Sequence, residues 1–104
     1  MNATRRKTLG QVIDQIEALK SLMEQAKADI DSIKETIDTE RVNEQEAFDN
    51  LPEGLQQAER GQAMEQAVEC LDNASTALSD LFDAIDGVDF DDVISSIDDA
   101  RGQA

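Results

Sequence analysis

The sequence predicts an all-α protein built on a long, coiled-coil-like antiparallel helical hairpin with a short third helix at the C-terminus. The 104 residues include only one proline and five glycines, so few residues are available to form the turns that several strands would need. Three phenylalanines are the only aromatic residues, so any core must consist of aliphatic side chains, which suits helix-on-helix packing. We predict a single domain over 1–104, with a helix over about 4–49, a turn at 50–54, a helix over about 55–86 and a short helix over about 90–100.

The first helix is predicted from apolar residues that recur in alternating steps of three and four. This spacing is typical of the seam of a coiled coil, the stripe that faces a partner helix. The seam becomes polar at Glu40 and Glu44. Its apolar members are Leu9, Val12, Ile16, Leu19, Met23, Ala26, Ile30, Ile33 and Ile37.

The break between the two long helices is predicted at Asn50–Gly54, because Pro52 lacks a backbone donor and disfavours a helical Leu51. A second seam follows, and two seams joined by a short turn predict an αα-hairpin. Folding about this turn pairs residues whose numbers add up to about 104, which would place Ile30 opposite Ala74. The second seam contains Met64, Ala67, Leu71, Ala74, Leu78, Leu81 and Ile85.

The third helix is predicted after Gly87, where a left-handed glycine would end the second helix. Asp89 is a suitable N-cap for the new helix. Its apolar face, formed by Val93, Ile94 and Ile97, is expected to cover the N-terminal half of the first helix.

Self-association is a further expectation from the apolar pattern. Four apolar residues lie off the principal seams and would remain exposed on a monomer: Ile13, Leu22, Val68 and Phe82. The sequence therefore predicts a homodimer with a four-helix arrangement.

The charge of the chain restricts its partners. Nine basic and 24 acidic residues give a net charge of -15, so nucleic acid and anionic membrane surfaces are not expected to bind directly. A basic protein is the partner that a chain with this negative charge is expected to attract. The single cysteine, Cys70, excludes an intramolecular disulfide and favours a cytoplasmic setting.

Known catalytic and cofactor motifs are missing from the sequence. No histidine is present to serve as a base for a nucleophile, and no glycine-rich phosphate loop occurs. An EF-hand centred on Gly87 would place Phe82 and Ala84 where oxygen ligands are required. We therefore expect no enzyme activity, no cofactor and no metal site.

The candidate binding residues are carboxylates, because acidic side chains are concentrated outside the N-terminal segment. Residues 1–20 have four basic and two acidic side chains, residues 21–54 have three and ten, and residues 55–104 have two and twelve. The corresponding net charges are +2, -7 and -10. The acidic faces are predicted to include Glu35, Asp38, Glu40, Glu44, Asp83, Asp86, Asp91 and Asp92.

The segment EAFDNLPEGLQ at 46–56, followed by Glu59-Arg60-Gly61 and Met64-Glu65, resembles a group of small acidic helical proteins of unassigned role encoded by phages and mobile elements. The resemblance covers about twenty residues around the turn. It implies that the turn is a specified feature, with Phe48, Leu51 and Leu55 clustered at its tip as a second contact surface. By analogy, the resemblance implies a comparison with small acidic phage proteins that mimic nucleic acid and block host nucleases.

Two functions follow as alternatives. The first is a non-enzymatic inhibitor or adaptor whose carboxylates occupy the basic groove of a host nucleic-acid-binding protein, with a possible role in phage anti-defence. The second is a structural or oligomerisation module in which the charge serves only solubility.

Overall fold

The computed structural model describes residues 1–103 and is 88% helical, and no strand occurs in this part of the chain. Four helices follow one another: α1 (Ala3–Asp49), α2 (Glu53–Gln56), α3 (Glu59–Asp86) and α4 (Phe90–Arg101). The all-α prediction is confirmed. Ala104, the last residue of the predicted domain, lies outside the described residues.

Local sequence accounts for both ends of α1. The Asn2 side chain accepts a hydrogen bond from the Arg5 backbone N–H at 2.8 Å, which satisfies one of the unpaired donors of the first turn. The helix ends at Asp49, where Pro52 and its effect on Leu51 prevent its continuation. The observed bounds agree with the predicted helix over about 4–49.

The connection after α1 is longer than predicted. The sequence predicts a turn at 50–54 and a helix from about 55, but the chain first forms the one-turn helix α2 and then bends at Gln57 and Ala58 before α3 begins. Neither residue is a helix breaker, so local propensity does not reveal the bend. The second long helix therefore starts about four residues later than predicted.

The junction between α3 and α4 is also only partly as predicted. The second long helix ends at Asp86 as expected, but no glycine in residues 1–103 has a positive φ, so Gly87 does not act as a left-handed cap. A tight turn closes the helix instead, with the Val88 N–H donating to the Ile85 carbonyl at 3.2 Å. The predicted N-cap is confirmed, because Asp89 Oδ1 accepts from the Asp92 N–H at 2.9 Å.

The chain divides into two compact units. The terminal unit consists of Met1–Lys27 and the chain from Ile85 onward; the central unit is Ala28–Ala84. In the terminal unit α4 runs antiparallel to the start of α1, since Lys20 pairs with Asp91 and the Arg6 side chain donates to the Gln103 carbonyl. The predicted packing of the C-terminal helix on the N-terminal half of α1 is confirmed.

The central unit is the antiparallel hairpin of α1 and α3, with a different register from the predicted one. Arg41 pairs with Asp72, and the Ser75 hydroxyl donates to Asp38 at 2.7 Å. In both pairs the residue numbers add up to 113, whereas the prediction was about 104. The extra α2 turn displaces α3 along α1, so the predicted opposition of Ile30 and Ala74 is wrong.

The observed seams follow the period of a straight α-helix. An α-helix has about 3.6 residues per turn, so a seam spaced at 3.5 residues drifts sideways by about 20° per heptad. Leu19, Ile33 and Leu81, which the strict pattern places on the seams, are 43%, 51% and 50% exposed. Half-buried residues at or near the seam include Lys20, Lys34 and Phe82.

Very few side chains are fully covered. Ile30 and Val68, each 7% exposed, are the only buried apolar residues among residues 1–103, and Gly61 is the only other buried residue. The prediction of a dimer assumed that Val68, Ile13 and Phe82 are exposed on a monomer. That assumption is wrong for Val68, which is buried, and holds only in part for Ile13 and Phe82, which are half-buried. Only Leu22, at 66%, is as exposed as that argument requires.

Candidate partner-binding surfaces

The acidic charge is concentrated in the central unit. Residues 28–84 contain 15 acidic and three basic side chains, a net charge of -12. The terminal unit contains nine acidic and six basic side chains, a net charge of -3. The central unit therefore produces the stronger attraction for positive charge.

The four predicted carboxylates of α1 do not form one patch. Glu35 and Glu40 are exposed, but residues five apart on a helix are separated by about 140° and so point to different sides. Asp38 is half-buried, accepts a hydrogen bond from Ser75 and lies 3.7 Å from the Lys34 ammonium. Glu44 is half-buried beside the seam. Asp38 is thus engaged by neighbouring side chains, and Glu44 is only partly accessible.

The predicted C-terminal group is divided between the two units. Asp83 belongs to the central unit and is exposed. In the terminal unit, Asp86 lies 2.8 Å from the Lys27 ammonium and Asp91 lies 2.8 Å from that of Lys20. Asp92 is exposed. Pairing with lysine reduces what Asp86 and Asp91 contribute to an outward-facing acidic surface.

Two lysines of the terminal unit, Lys20 and Lys27, have a raised pKa because each is hydrogen-bonded to at least one carboxylate. The hydrogen bond to Asp91 raises the pKa of Lys20, with a further contribution from the charge of that carboxylate. Hydrogen bonds to Asp86 and then to Glu24 raise the pKa of Lys27, whose side chain is only 16% exposed. These pairs hold the start of α4 and the end of α3 on α1 within the terminal unit.

An acidic row on α3 was not singled out by the sequence reasoning. Its members follow one another in steps of three, four and eight residues, which keeps them on one helix face, and all are exposed. Asp72 is paired with Arg41, whereas the other four make no ion pair with a residue of the range 1–103. The helical spacing of the acidic residues was the available signal. We call Glu65, Glu69, Asp72, Asp80 and Asp83 the α3 acidic row.

The predicted turn residues are placed around a tightly built connection. Phe48 and Leu51 are half-buried, and Leu55 is 50% exposed. The Gln56 side-chain amide donates to the carbonyls of Phe48 and Leu51, both at 3.2 Å, and so satisfies acceptors at the end of α1. Gln56 was not identified from the sequence.

Gly61 allows the connection to lie against the first turn of α3. A Cβ atom at this position would clash with the Gln56 carbonyl oxygen and would lie 2.6 Å from that of Leu55. Because both obstacles are backbone atoms, a side chain here would force the connection to move. The backbone of residues 55–61 is therefore closely packed on itself at this connection.

The described residues provide no further chemical group of note. Within 1–103 no set of three or more His, Cys, Asp or Glu side chains is arranged to hold a metal ion, and Cys70 is an exposed free thiol. None of the helices in that range combines the length and apolar character needed to cross a membrane.

No family model matches this chain, and comparisons with curated proteins and with solved structures find no match either.

Proposed function

We propose that this protein is a non-enzymatic binding module whose central unit occupies a basic, nucleic-acid-binding groove of another protein. The observation that carries the proposal is the net charge of -12 on residues 28–84. The proposed partner is a basic protein, because like charges would repel nucleic acid and anionic membranes.

The linear charge density of the central unit approaches that of a nucleic acid. The part of α1 in this unit has 22 residues and is therefore about 33 Å long. The unit thus carries one net negative charge for about every 3 Å of its length, against about 1.7 Å for duplex DNA. A groove that binds a duplex through phosphate contacts would meet a comparable field.

The α3 acidic row supplies the surface for this contact. Glu65 to Asp83 spans 18 residues, or about 27 Å, which is most of one turn of duplex DNA. The backbone of a regular helix holds its carboxylates in a fixed order without needing a buried site. Steering by such a row accelerates encounter with a basic partner and weakens as salt increases.

The role of an anti-defence inhibitor is the specific form of this proposal. It combines the acidic central unit with the resemblance of the turn segment to small phage and mobile-element proteins. In that role the protein would compete with nucleic acid for a host nuclease or another DNA-binding protein in the cytoplasm.

The test is capture from a bacterial lysate on the immobilised protein, at about 0.05 M and about 0.5 M salt. We expect a basic partner that is retained at low salt, released at high salt and displaced by duplex DNA. A partner that duplex DNA does not displace would contradict the proposal. Recovery of the protein itself alone would favour the structural-module alternative, in which the acidic residues only maintain solubility.

Two matched variants locate the contact. Reversing four members of the α3 acidic row, as E65K/E69K/D80K/D83K, should weaken capture at least about tenfold through loss of the local field. The control D14K/E17K/D92K/D99K makes the same change in net charge with exposed residues of the terminal unit. Equal losses from both variants would show that only total charge matters.

The turn provides a further discriminating variant. Leu55→Ala removes a half-exposed apolar side chain without changing the charge. If binding survives high salt and the α3 reversal but is lost in L55A, an apolar contact at the turn carries the interaction and the mimicry proposal is wrong.

A further inference from the structure

The start of α1 carries the most basic stretch of the chain. Arg5, Arg6 and Lys7 are consecutive and exposed, and they are three of the nine basic residues. No acidic residue occurs before Asp14, which lies seven residues, or about 10 Å, beyond Lys7 along the helix. We call Arg5, Arg6 and Lys7 the basic cluster. The terminal unit therefore contains a local concentration of positive charge.

The cations of the basic cluster form no ion pair within residues 1–103, although the chain has 24 acidic residues. The Arg6 side chain donates instead to the Gln103 carbonyl at 3.3 Å. Five of the other six basic side chains do pair with carboxylates: Lys20, Lys27, Lys34, Arg41 and Arg101. The charges of the basic cluster therefore remain available to carboxylates of another molecule.

The neighbouring end of α4 does not cancel this charge. Arg101 lies beside α1, because its guanidinium is 3.2 Å from where a Cβ atom on Gly10 would be. It pairs with Asp98, so of the two carboxylates here only Asp99 lacks a basic partner within residues 1–103. Residues 1–13 and 98–103 together contain four basic and two acidic side chains, a net charge of +2. This end of the terminal unit is therefore positive in a chain whose net charge is -15.

The α3 acidic row has the complementary charge. Glu65, Glu69, Asp80 and Asp83 are exposed and make no ion pair with a residue of the range 1–103. Exposed charges are screened beyond about 8 Å at physiological ionic strength, so a contact between two surfaces depends on their local charges more than on the net charge of each molecule. The chain therefore presents one positive and one negative surface, and ion pairs within the described range neutralise neither.

We propose that the basic cluster binds the α3 acidic row of a second copy of this chain. Consecutive residues of a helix project about 100° apart, so Arg5 and Lys7 lie on opposite sides of Arg6. Glu65 and Glu69 are one turn apart, about 6 Å along α3, so a single cluster can meet both carboxylates. Arginine also forms paired hydrogen bonds with a carboxylate, which strengthen the contact beyond charge attraction alone.

Nucleic acid is a less suitable occupant of the basic cluster. Duplex DNA has one negative charge for about every 1.7 Å of its length and would therefore also meet the acidic central unit, which repels it. The α3 acidic row is a local surface about 27 Å long. A second copy therefore offers the cluster a limited run of carboxylates and not a continuous line of charge.

This inference uses the same row as the proposed function but requires no host protein. In the self-associated protein, the basic cluster of another copy covers the row, so a basic partner would have to displace that copy. The two proposals fail separately, because purified protein tests self-association and capture from a lysate tests the host partner. Neutralising the basic cluster should abolish self-association and leave salt-dependent capture unchanged.

The first experiment measures the mass of the purified protein by sedimentation equilibrium. Concentrations up to about 1 mM are needed, because contacts made of a few exposed ion pairs are weak. At about 0.1 M salt we expect a mass that rises with concentration above the chain mass of 11.4 kDa. At about 1 M salt, where the screening length is about 3 Å, the mass should fall to that of one chain. A single-chain mass at both salt concentrations would overturn the proposal, and so would an oligomer that salt does not weaken.

The second experiment removes each surface separately with neutral side chains of similar size. R5Q/R6Q/K7Q removes the basic cluster, and E65Q/E69Q/D80N/D83N removes the unpaired part of the α3 acidic row. Each variant alone should self-associate at least about tenfold more weakly than the unmodified protein. A mixture of the two still contains one intact cluster and one intact row, so we expect a complex of both variants with twice the chain mass. Failure of the mixture to form this complex would overturn the proposal.

A matched control separates the contact from total charge. D14N/E17Q/D92N/D99N changes the net charge as much as the row variant does, with exposed residues of the terminal unit, and should self-associate at least as strongly as the unmodified protein. An equal loss in the control would overturn the proposal. A monomeric protein that binds duplex DNA through the basic cluster would also overturn it, by identifying nucleic acid as the occupant. Circular dichroism checks that each variant retains its helical content.

Discussion

The helices of the terminal unit and those of the central unit are held together by different interactions. The terminal unit is nearly balanced in charge, and Lys20 and Lys27 pair with carboxylates at the junction of α3 and α4. The central unit has a net charge of -12, yet it contains all the buried residues found in 1–103: Ile30, Val68 and Gly61. The central unit thus combines the larger excess of negative charge with the more complete burial of apolar side chains.

The largest effect is expected from removing packing in the central unit. Ile30→Ala should lower the free energy of unfolding by about 2–3 kcal/mol, because a buried Ile loses most of its side-chain contacts. The matched control is Ile33→Ala on the same helix, which should cost less than about 1 kcal/mol because Ile33 is half-exposed. Urea unfolding of dilute protein measures both. Similar losses for the two variants would contradict the distinction between seam and exposed face.

A pair of glycine substitutions compares the two units directly. Gly61→Ala should destabilise by about 1–3 kcal/mol, because the added carbon meets backbone carbonyls in the central unit. Gly10→Ala meets only the end of the Arg101 side chain, at 3.2 Å, which can move. That change should be neutral or stabilise by up to about 1 kcal/mol through helix propensity. Thermal unfolding compares them, and a stabilised G61A variant would disprove the proposed close approach.

Removing the N-cap of α4 should weaken the terminal unit selectively. Asp89→Ala deletes the acceptor for the Asp92 N–H and should cost about 1 kcal/mol. Because α4 packs within the terminal unit, amide hydrogen exchange should accelerate in α4 and change little in residues 59–84 of α3. Asp92→Asn serves as the control, because it changes an exposed side chain that makes no ion pair within residues 1–103 and leaves its backbone N–H to donate to Asp89. Uniform acceleration across both units would contradict their separate description.

The smallest expected effect is an alkaline loss of stability in the terminal unit. The pKa values of Lys20 and Lys27 are raised above 10.5 in the folded chain. A raised lysine pKa stabilises the fold fully below about pH 10.5 and loses this contribution as the pH rises through the folded value. The melting temperature should therefore fall above that pH. The chain has no tyrosine to titrate in the same range.

A double variant tests whether these two lysines cause the alkaline transition. K20M/K27M should be less stable than the unmodified protein at neutral pH and should show a smaller change between about pH 10 and 12. Lys7→Met and Lys34→Met provide matched controls that remove lysines making no ion pair at the junction of α3 and α4. An unchanged alkaline transition in K20M/K27M would remove the assigned role of the two ion pairs.

The sequence by itself determined that the chain forms two long helices and a short C-terminal one. Pro52 predicted the end of α1, Asp89 predicted the start of α4, and the apolar periodicity predicted that α1 and α3 pair. These features depend on local backbone chemistry and on the spacing of side chains along one helix. The acidic excess was equally evident from composition, since it requires no knowledge of the fold.

Only the tertiary structure decided which residues meet. The bend at Gln57 and Ala58 contains no proline or glycine that would have predicted it. It displaces α3 along α1, so that Asp38 meets Ser75. The straight-helix period then moves Leu81 off the seam and brings Phe82 towards it. A displacement or rotation of one helix changes every cross-helix contact while leaving the local pattern intact, so the register of α3 against α1 could be read only from the assembled hairpin.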